Sequence, residues 1–117
     1  MRQEHQDLRI DYVEFAVKDI AAAKAFYGSA FGWTFQDYGD DYSSFHDGRL
    51  AGGFRSDVEP KPGGPLVVIY ALDLAAAEKK VMENGGSIAV ETFEFPGGRR
   101  FEFTDPSGNR LAVWSDR

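Results

Sequence analysis

One phrase occurs twice in this chain. Asp19-Ile-Ala-Ala-Ala returns 54 residues later as Asp73-Leu-Ala-Ala-Ala, and Gly86 stands to Gly32 at the same offset. An internal repeat constrains a fold more than any local propensity, because each copy is one supersecondary unit that buries its apolar face against the other. Around the first copy, Val13, Phe15 and Val17 alternate with Glu14 and Ala16, the period of a strand with one buried face. Asp19 then caps a helix, its carboxylate accepting from free N–H groups of the first turn. From Ile20 to Phe31 the period changes, and Ala23, Phe26, Tyr27, Ala30 and Phe31 share one helical face. Gly32 ends the helix as a left-handed residue. The second copy offers a strand over Leu66–Leu72 and a helix running to Asn84, with Leu74, Ala77, Val81 and Gly85 on its core face.

The remaining segments read as strands. The first spans Leu8–Val17, the second Trp33–Tyr38 and the third Tyr42–His46, where Tyr42, Ser44 and His46 share a face. Asp47-Gly48 is a hairpin signal. Arg49–Arg55 follows, and Gly52-Gly53 within it predicts a bulge or a close backbone approach. Residues 56–65, rich in Pro and Gly, form a linker. Ser87–Phe95, Arg99–Thr104 and Asn109–Ser115 complete the set, with a turn at Asp105-Pro-Ser-Gly. Phe101 and Phe103 share one face; Leu111 and Val113 point inward. Met1 to Asp7, including His5, reads as a frayed terminus.

These elements predict one α+β domain over 1–117. Two βαβββ repeats, about 8–55 and 66–115, form a curved mixed sheet with the helices on its outer side. The concave cup carries Tyr12, Glu14, Ala16, Tyr70, Ala112 and Trp114.

Composition narrows the function classes. With 117 residues the chain is one domain by size, and 43% hydrophobic and 27% charged residues are ordinary for a globular protein. There is no apolar run of membrane-spanning length and no secretory h-region, so the expected location is cytoplasmic. The absence of Cys excludes disulfides, thiol nucleophiles and Cys-ligated zinc. A net charge of −6 argues against nucleic acid and anionic membrane as partners and is compatible with a cationic ligand. No dinucleotide fingerprint, nucleophile elbow or phosphate loop is present.

Glu14 is the most informative single residue. It interrupts an apolar strand and, by parity with Tyr12, points into the cup. A carboxylate there is costly unless it is paired, hydrated or functional: it binds a cation, acts as a general base, or pairs with an Arg such as Arg110. His46 is the one His inside the predicted fold, either a partner for Glu14 or a surface residue beside its hairpin. Tyr12, Tyr42, Tyr70 and Trp114 make an aromatic lining for a planar or cationic ligand, or else pack in an interface or core.

The run from Val17 to Trp33, with Phe103-Thr-Asp-Pro-Ser-Gly-Asn109 near the end, resembles the glyoxalase/bleomycin-resistance/extradiol dioxygenase superfamily, the vicinal oxygen chelate proteins. It is most similar to the short bacterial glyoxalase-like members. The resemblance implies a cupped sheet from a βαβββ pair, a homodimer, and in the enzymes a divalent metal held by His, Glu or Gln. The ligand positions it implies fall seven residues before the capping Asp of each unit, and three after Asn109. In this chain they hold Tyr12, Leu66 and Ala112.

Two readings follow. The first is a binding protein for a small aromatic or cationic molecule in the cup, with no cofactor expected, and with Tyr12, Glu14, Tyr42, His46, Tyr70 and Trp114 as ligand-binding residues. The second is a metal-dependent lyase or isomerase related to lactoylglutathione lyase, with an unusual site that leaves a divalent metal open; Glu14 is the candidate general base.

Overall fold

A computed structural model describes residues 7–117; the reading of Met1 to Gln6, His5 included, lies outside the described residues. The order of elements is β1 (Tyr12–Ala16), α1 (Ile20–Phe31), β2 (Thr34–Asp37), β3 (Tyr42–His46), β4 (Ala51–Arg55), β5 (Val67–Tyr70), α2 (Leu74–Glu83), β6 (Ser87–Phe95), β7 (Gly98–Thr104) and β8 (Arg110–Ser115). This is α+β with two βαβββ units. Each unit makes its own four-stranded mixed sheet, in the orders β1-β4-β3-β2 and β5-β8-β7-β6. In both, the first strand runs parallel to the last, and the helix between strands one and two provides the crossover that a parallel pair needs.

The two helices start alike. Asp19 accepts from the Ala22 N–H at 3.1 Å, and Asp73 from the Ala76 N–H at 3.0 Å. They end differently. Gly32 takes the left-handed conformation at φ 76° directly after α1. After α2 the cap is Asn84, and Gly85 takes positive φ, so the match of Gly86 to Gly32 does not carry that role. Gly86 serves packing instead: a Cβ there would fall 2.6 Å from Val81 and 3.0 Å from Phe26. Gly85 is correspondingly exposed rather than part of the core face. The first strand is also shorter than predicted, beginning at Tyr12 opposite Ala51, the first residue of β4.

A single core runs through both units. Phe15, Phe45 and Phe54 lie on one face of the first sheet under α1, where Tyr27 stacks on Trp33 at 4.7 Å and Trp33 on Phe45 at 4.5 Å. Offset ring pairs of this kind contribute about 0.5–1.5 kcal/mol each beyond their burial. Phe26 reaches across to Phe103 of the second sheet, and Phe101, Phe103, Leu111 and Val113 are fully buried. By the two-residue period of strands, the opposite sheet faces present Tyr12, Glu14, Tyr42 and Gly53 in one unit, and Arg100, Glu102, Arg110 and Trp114 in the other.

What fastens the units is the segment from Asp105 to Asn109. Asp105 is buried, and its Oδ1 accepts from the backbone N–H of Ser107 and of Asn109, both at 2.9 Å. Its Oδ2 accepts from the Tyr27 hydroxyl at 2.8 Å. Asn109 donates to the Ala16 carbonyl at 2.8 Å, and the Lys18 N–H donates to Ser107 Oγ at 2.9 Å. The Phe-Tyr run of the first unit and the Asp-Pro-Ser-Gly-Asn run of the second are thus two sides of one buried contact. Burial first, then the charge of Asp105, holds the Tyr27 hydroxyl protonated far above the usual phenol range.

Candidate functional site

On the open face of the first sheet, β1 places Tyr12 and Glu14 two residues apart, so both side chains leave the same side. Tyr42 comes from the start of β3, with β4 between them. A side chain on β4 would separate these groups, and Gly53 removes it. A Cβ built on Gly53 collides with the Tyr42 hydroxyl and lies 2.8 Å from the Tyr12 hydroxyl. The Gly52-Gly53 pair produces no bulge, since the ladders on both sides stay in register; the second of the two expectations, close approach, is what the structure contains. At Gly52 the neighbours are the Phe45 ring and the Val13 carbonyl.

Over Gly53 the polar groups form a chain. The Tyr12 and Tyr42 hydroxyl oxygens are 2.6 Å apart, and Tyr42 Oη lies 2.8 Å from Glu14 Oε2. The direction of this chain is fixed from its carboxylate end. An ionised carboxylate only accepts, so Tyr42 donates to Glu14. Tyr42 has then spent its one proton, so Tyr12 donates to Tyr42. The Tyr12 oxygen is left with lone pairs and no hydrogen to offer. Burial, together with hydrogen bonds to Tyr12 and Glu14, raises Tyr42 well above the usual phenol range, so the Tyr42 hydroxyl keeps the proton it donates.

Glu14 is only loosely neutralised. Arg55 approaches its Oε1 at 3.5 Å, but the two tighter bonds of that guanidinium, 2.8 and 3.0 Å, go to Asp57. Arg110 is not its partner. Arg110 bonds Glu102 at 2.9 Å, and Arg100 holds the other oxygen of the same carboxylate at 3.0 Å. The cause is register: β8 pairs with β7, which puts Arg110 opposite Thr104 and within reach of Glu102.

The remaining candidates stand apart from this chain. His46 lies at the opposite end of β3 from Tyr42, about 13 Å along the strand. Its Nδ1 accepts from the Gly48 N–H of its own hairpin at 3.0 Å. Tyr70 and Trp114 meet edge to face at 5.3 Å on the second sheet, and the Tyr70 hydroxyl donates to Asp116 at 2.6 Å. The structure therefore brings together Tyr12, Glu14 and Tyr42, and separately Tyr70 and Trp114. Arg55, Arg100 and Glu102 were not singled out from the sequence. Gly53 reads there as a bulge or close approach but not as part of the site, and Arg110 is named there for the wrong carboxylate.

Along the seam between the units lies a groove of about 810 Å³. Tyr12 and Glu14 border it from the first unit, and Thr104, Asn109 and Arg110 from the second. Lys61 of the linker and Leu66, the residue just before β5, lie along it as well.

A pair of βαβββ units joined at a buried seam, with a groove between them, defines the structural class. The comparisons with known proteins give the family. The model described as Glyoxalase/Bleomycin resistance protein/Dioxygenase superfamily matches residues 9–113, and the chain belongs to that superfamily. It is 30% identical, over 97% of its length, to "Putative glyoxylase CFP32" of Mycobacterium tuberculosis, and 32% identical over 82% to "Anthracycline biosynthesis protein DnrV" of Streptomyces peucetius. It spans 48% and 42% of those proteins, less than half of each. Its fold matches that of a glyoxalase-related enzyme from Fulvimarina pelagi with a TM-score of 0.80, at 16% identity, covering 92% of this chain and 88% of that one.

The residues present do not fit the divalent metal of the enzymes the chain resembles. Leu66 and Ala112 have no donor atom, and a neutral Tyr12 phenol, its proton held between it and Tyr42, is a poor substitute for imidazole or carboxylate. Among the described residues no three His, Cys, Asp or Glu side chains gather into a set that would hold a metal ion.

Proposed function

We propose that this chain is a binding protein for a small molecule that presents a cation or N–H donors, taken up over Gly53 at the Tyr12–Tyr42–Glu14 chain. The observation that carries this reading is the one-way hydrogen-bond chain: it ends in lone pairs at Tyr12 and in a carboxylate that its nearest arginine only partly engages. A site made of acceptors recognises donors, and it rejects carboxylates and phosphates by like-charge repulsion. The aromatic rings around it favour a ligand with a flat body or a quaternary or primary amine. The net charge of −6 points the same way.

The reading includes a homodimer and a cytoplasmic setting. Support for the dimer comes from edge strand β5 of the second sheet, which leaves Val68 43% and Tyr70 44% exposed on the open face, an apolar edge that a second copy would cover. The absence of Cys suits a reducing compartment.

A thermal-shift panel of matched aromatic amines and aromatic carboxylic acids tests the reading. Amines are expected to raise the melting temperature and acids to leave it unchanged, with the amine effect lost in Glu14→Gln. Stabilisation by acids alone would overturn it.

A further inference from the structure

We infer that the seam groove also reads an acidic group, so that its ligand is a zwitterion that offers an ammonium group to the acceptors of the first unit and a carboxylate to the donors of the second. The inference rests on the acceptor reading of Tyr12 and Glu14 and adds the opposite wall. Across the groove from β1 stands Arg110, and Lys61 of the linker lines the same space. Arg110 gives one N–H to Glu102, and a guanidinium has five. Its side chain is half exposed, so the donors that remain are accessible.

The second unit is built to hold positive charge on this face. Glu102, 13% exposed, is shared between Arg100 and Arg110, one carboxylate for two guanidinium groups. The cluster keeps a net charge of +1. Arg100 is itself fixed over the Phe93 ring at 5.4 Å, with its Nε buried and without a hydrogen-bond acceptor. A buried unpaired N–H is a cost the fold bears to keep that guanidinium in place, and Arg100 in turn holds Glu102 where it orients Arg110. The groove thus takes acceptors from the first unit, Tyr12 and Glu14, and cationic donors from Arg110 of the second unit and Lys61 of the linker.

Titration calorimetry with three matched probes tests this: phenylalanine, phenethylamine and 3-phenylpropionate. Phenylalanine is expected to bind about tenfold more tightly than phenethylamine, the effect of one charge-assisted hydrogen bond. Arg110→Met, which keeps the apolar stem, brings phenylalanine down to the affinity of the amine and leaves the amine unchanged. The double variant Glu102→Gln/Arg110→Met should behave the same way, which separates loss of the Arg110 donors from the extra negative charge that Glu102 contributes once Arg110 is gone. Equal affinity for phenylalanine and phenethylamine in the wild type, or a tight phenylalanine complex that survives both variants, overturns the acidic end and leaves the acceptor reading standing. Binding of 3-phenylpropionate with no binding of phenethylamine overturns the acceptor reading instead, and the zwitterion with it.

Discussion

Asp47 and Asp105 begin the same turn in the two units, between the third and fourth strands of each. Both use the same device. Asp47 Oδ1 accepts from the Arg49 and Leu50 N–H groups at 2.8 and 2.6 Å, as Asp105 Oδ1 accepts from Ser107 and Asn109. Only Asp105 is buried, and only its second oxygen reaches the other unit. The first turn stays a local hairpin; the second has become the fastening of the molecule. The sheet faces diverge in the same manner. Ala112 pairs with Val68 as Gly53 pairs with Glu14, so the two residues are counterparts. The glycine makes room for two hydroxyls, whereas the alanine is covered within an ordinary strand. A repeat, once folded, lets one copy keep the scaffold while the other acquires a site.

The contrast between the turns predicts the largest effect on stability. Asp105→Ala leaves the buried Tyr27 hydroxyl and two turn N–H groups without their acceptor and should cost about 3 kcal/mol or more, while Asp47→Ala, losing an exposed cap, should cost about 0.5–1 kcal/mol. Urea unfolding of the two variants measures both; equal costs would break the comparison.

The exchange of the counterpart residues comes next. Gly53→Ala pushes aside both tyrosine hydroxyls, and is expected to abolish amine binding at a cost of about 1–3 kcal/mol in overpacking. Ala112→Gly should leave binding intact and cost about 1 kcal/mol, the usual penalty of glycine in a strand. Calorimetry and thermal melts of the pair give the answer, and retained binding in Gly53→Ala would show that the hydroxyl chain is not the site.

A smaller effect concerns pH. Tyr27 and Tyr42 both have raised values in the folded state. Above pH 10.0, the ordinary tyrosine value, the unfolded chain gives up protons that the fold retains, so stability falls as pH rises further. Tyr27→Phe should be less stable at neutral pH and show a shallower decline above pH 10. An unchanged alkaline slope would mean that Tyr27 ionises in the fold.

Much of this was legible from the chain. The change of period from two to 3.6 at Asp19 and the return of its Asp-x-Ala-Ala-Ala phrase at Asp73 marked both units, and strand parity placed Tyr12 with Glu14 on the open face and Tyr42 with Ser44 and His46 on one face of their own strand. What sequence did not carry was register between distant strands. The parallel pairing of β1 with β4 brings Arg55, not Arg110, to Glu14, and nothing local specifies it. Likewise, Tyr27 read as one more apolar position on a helix face, although its hydroxyl is the donor to Asp105, 78 residues away. Gly86 looked like a helix terminator by its offset, and the structure gives that conformation to Gly85 and close packing to Gly86. His46, conspicuous as a lone histidine, is turned to its own hairpin.

The most direct test of the central claim is the affinity of phenethylamine for the wild type and for Glu14→Gln, measured by titration calorimetry at low salt. If the Tyr12–Tyr42–Glu14 chain is an acceptor site, the wild type binds and the variant, which keeps the shape but not the charge, loses about tenfold or more. An amine that binds both proteins equally would contradict the account.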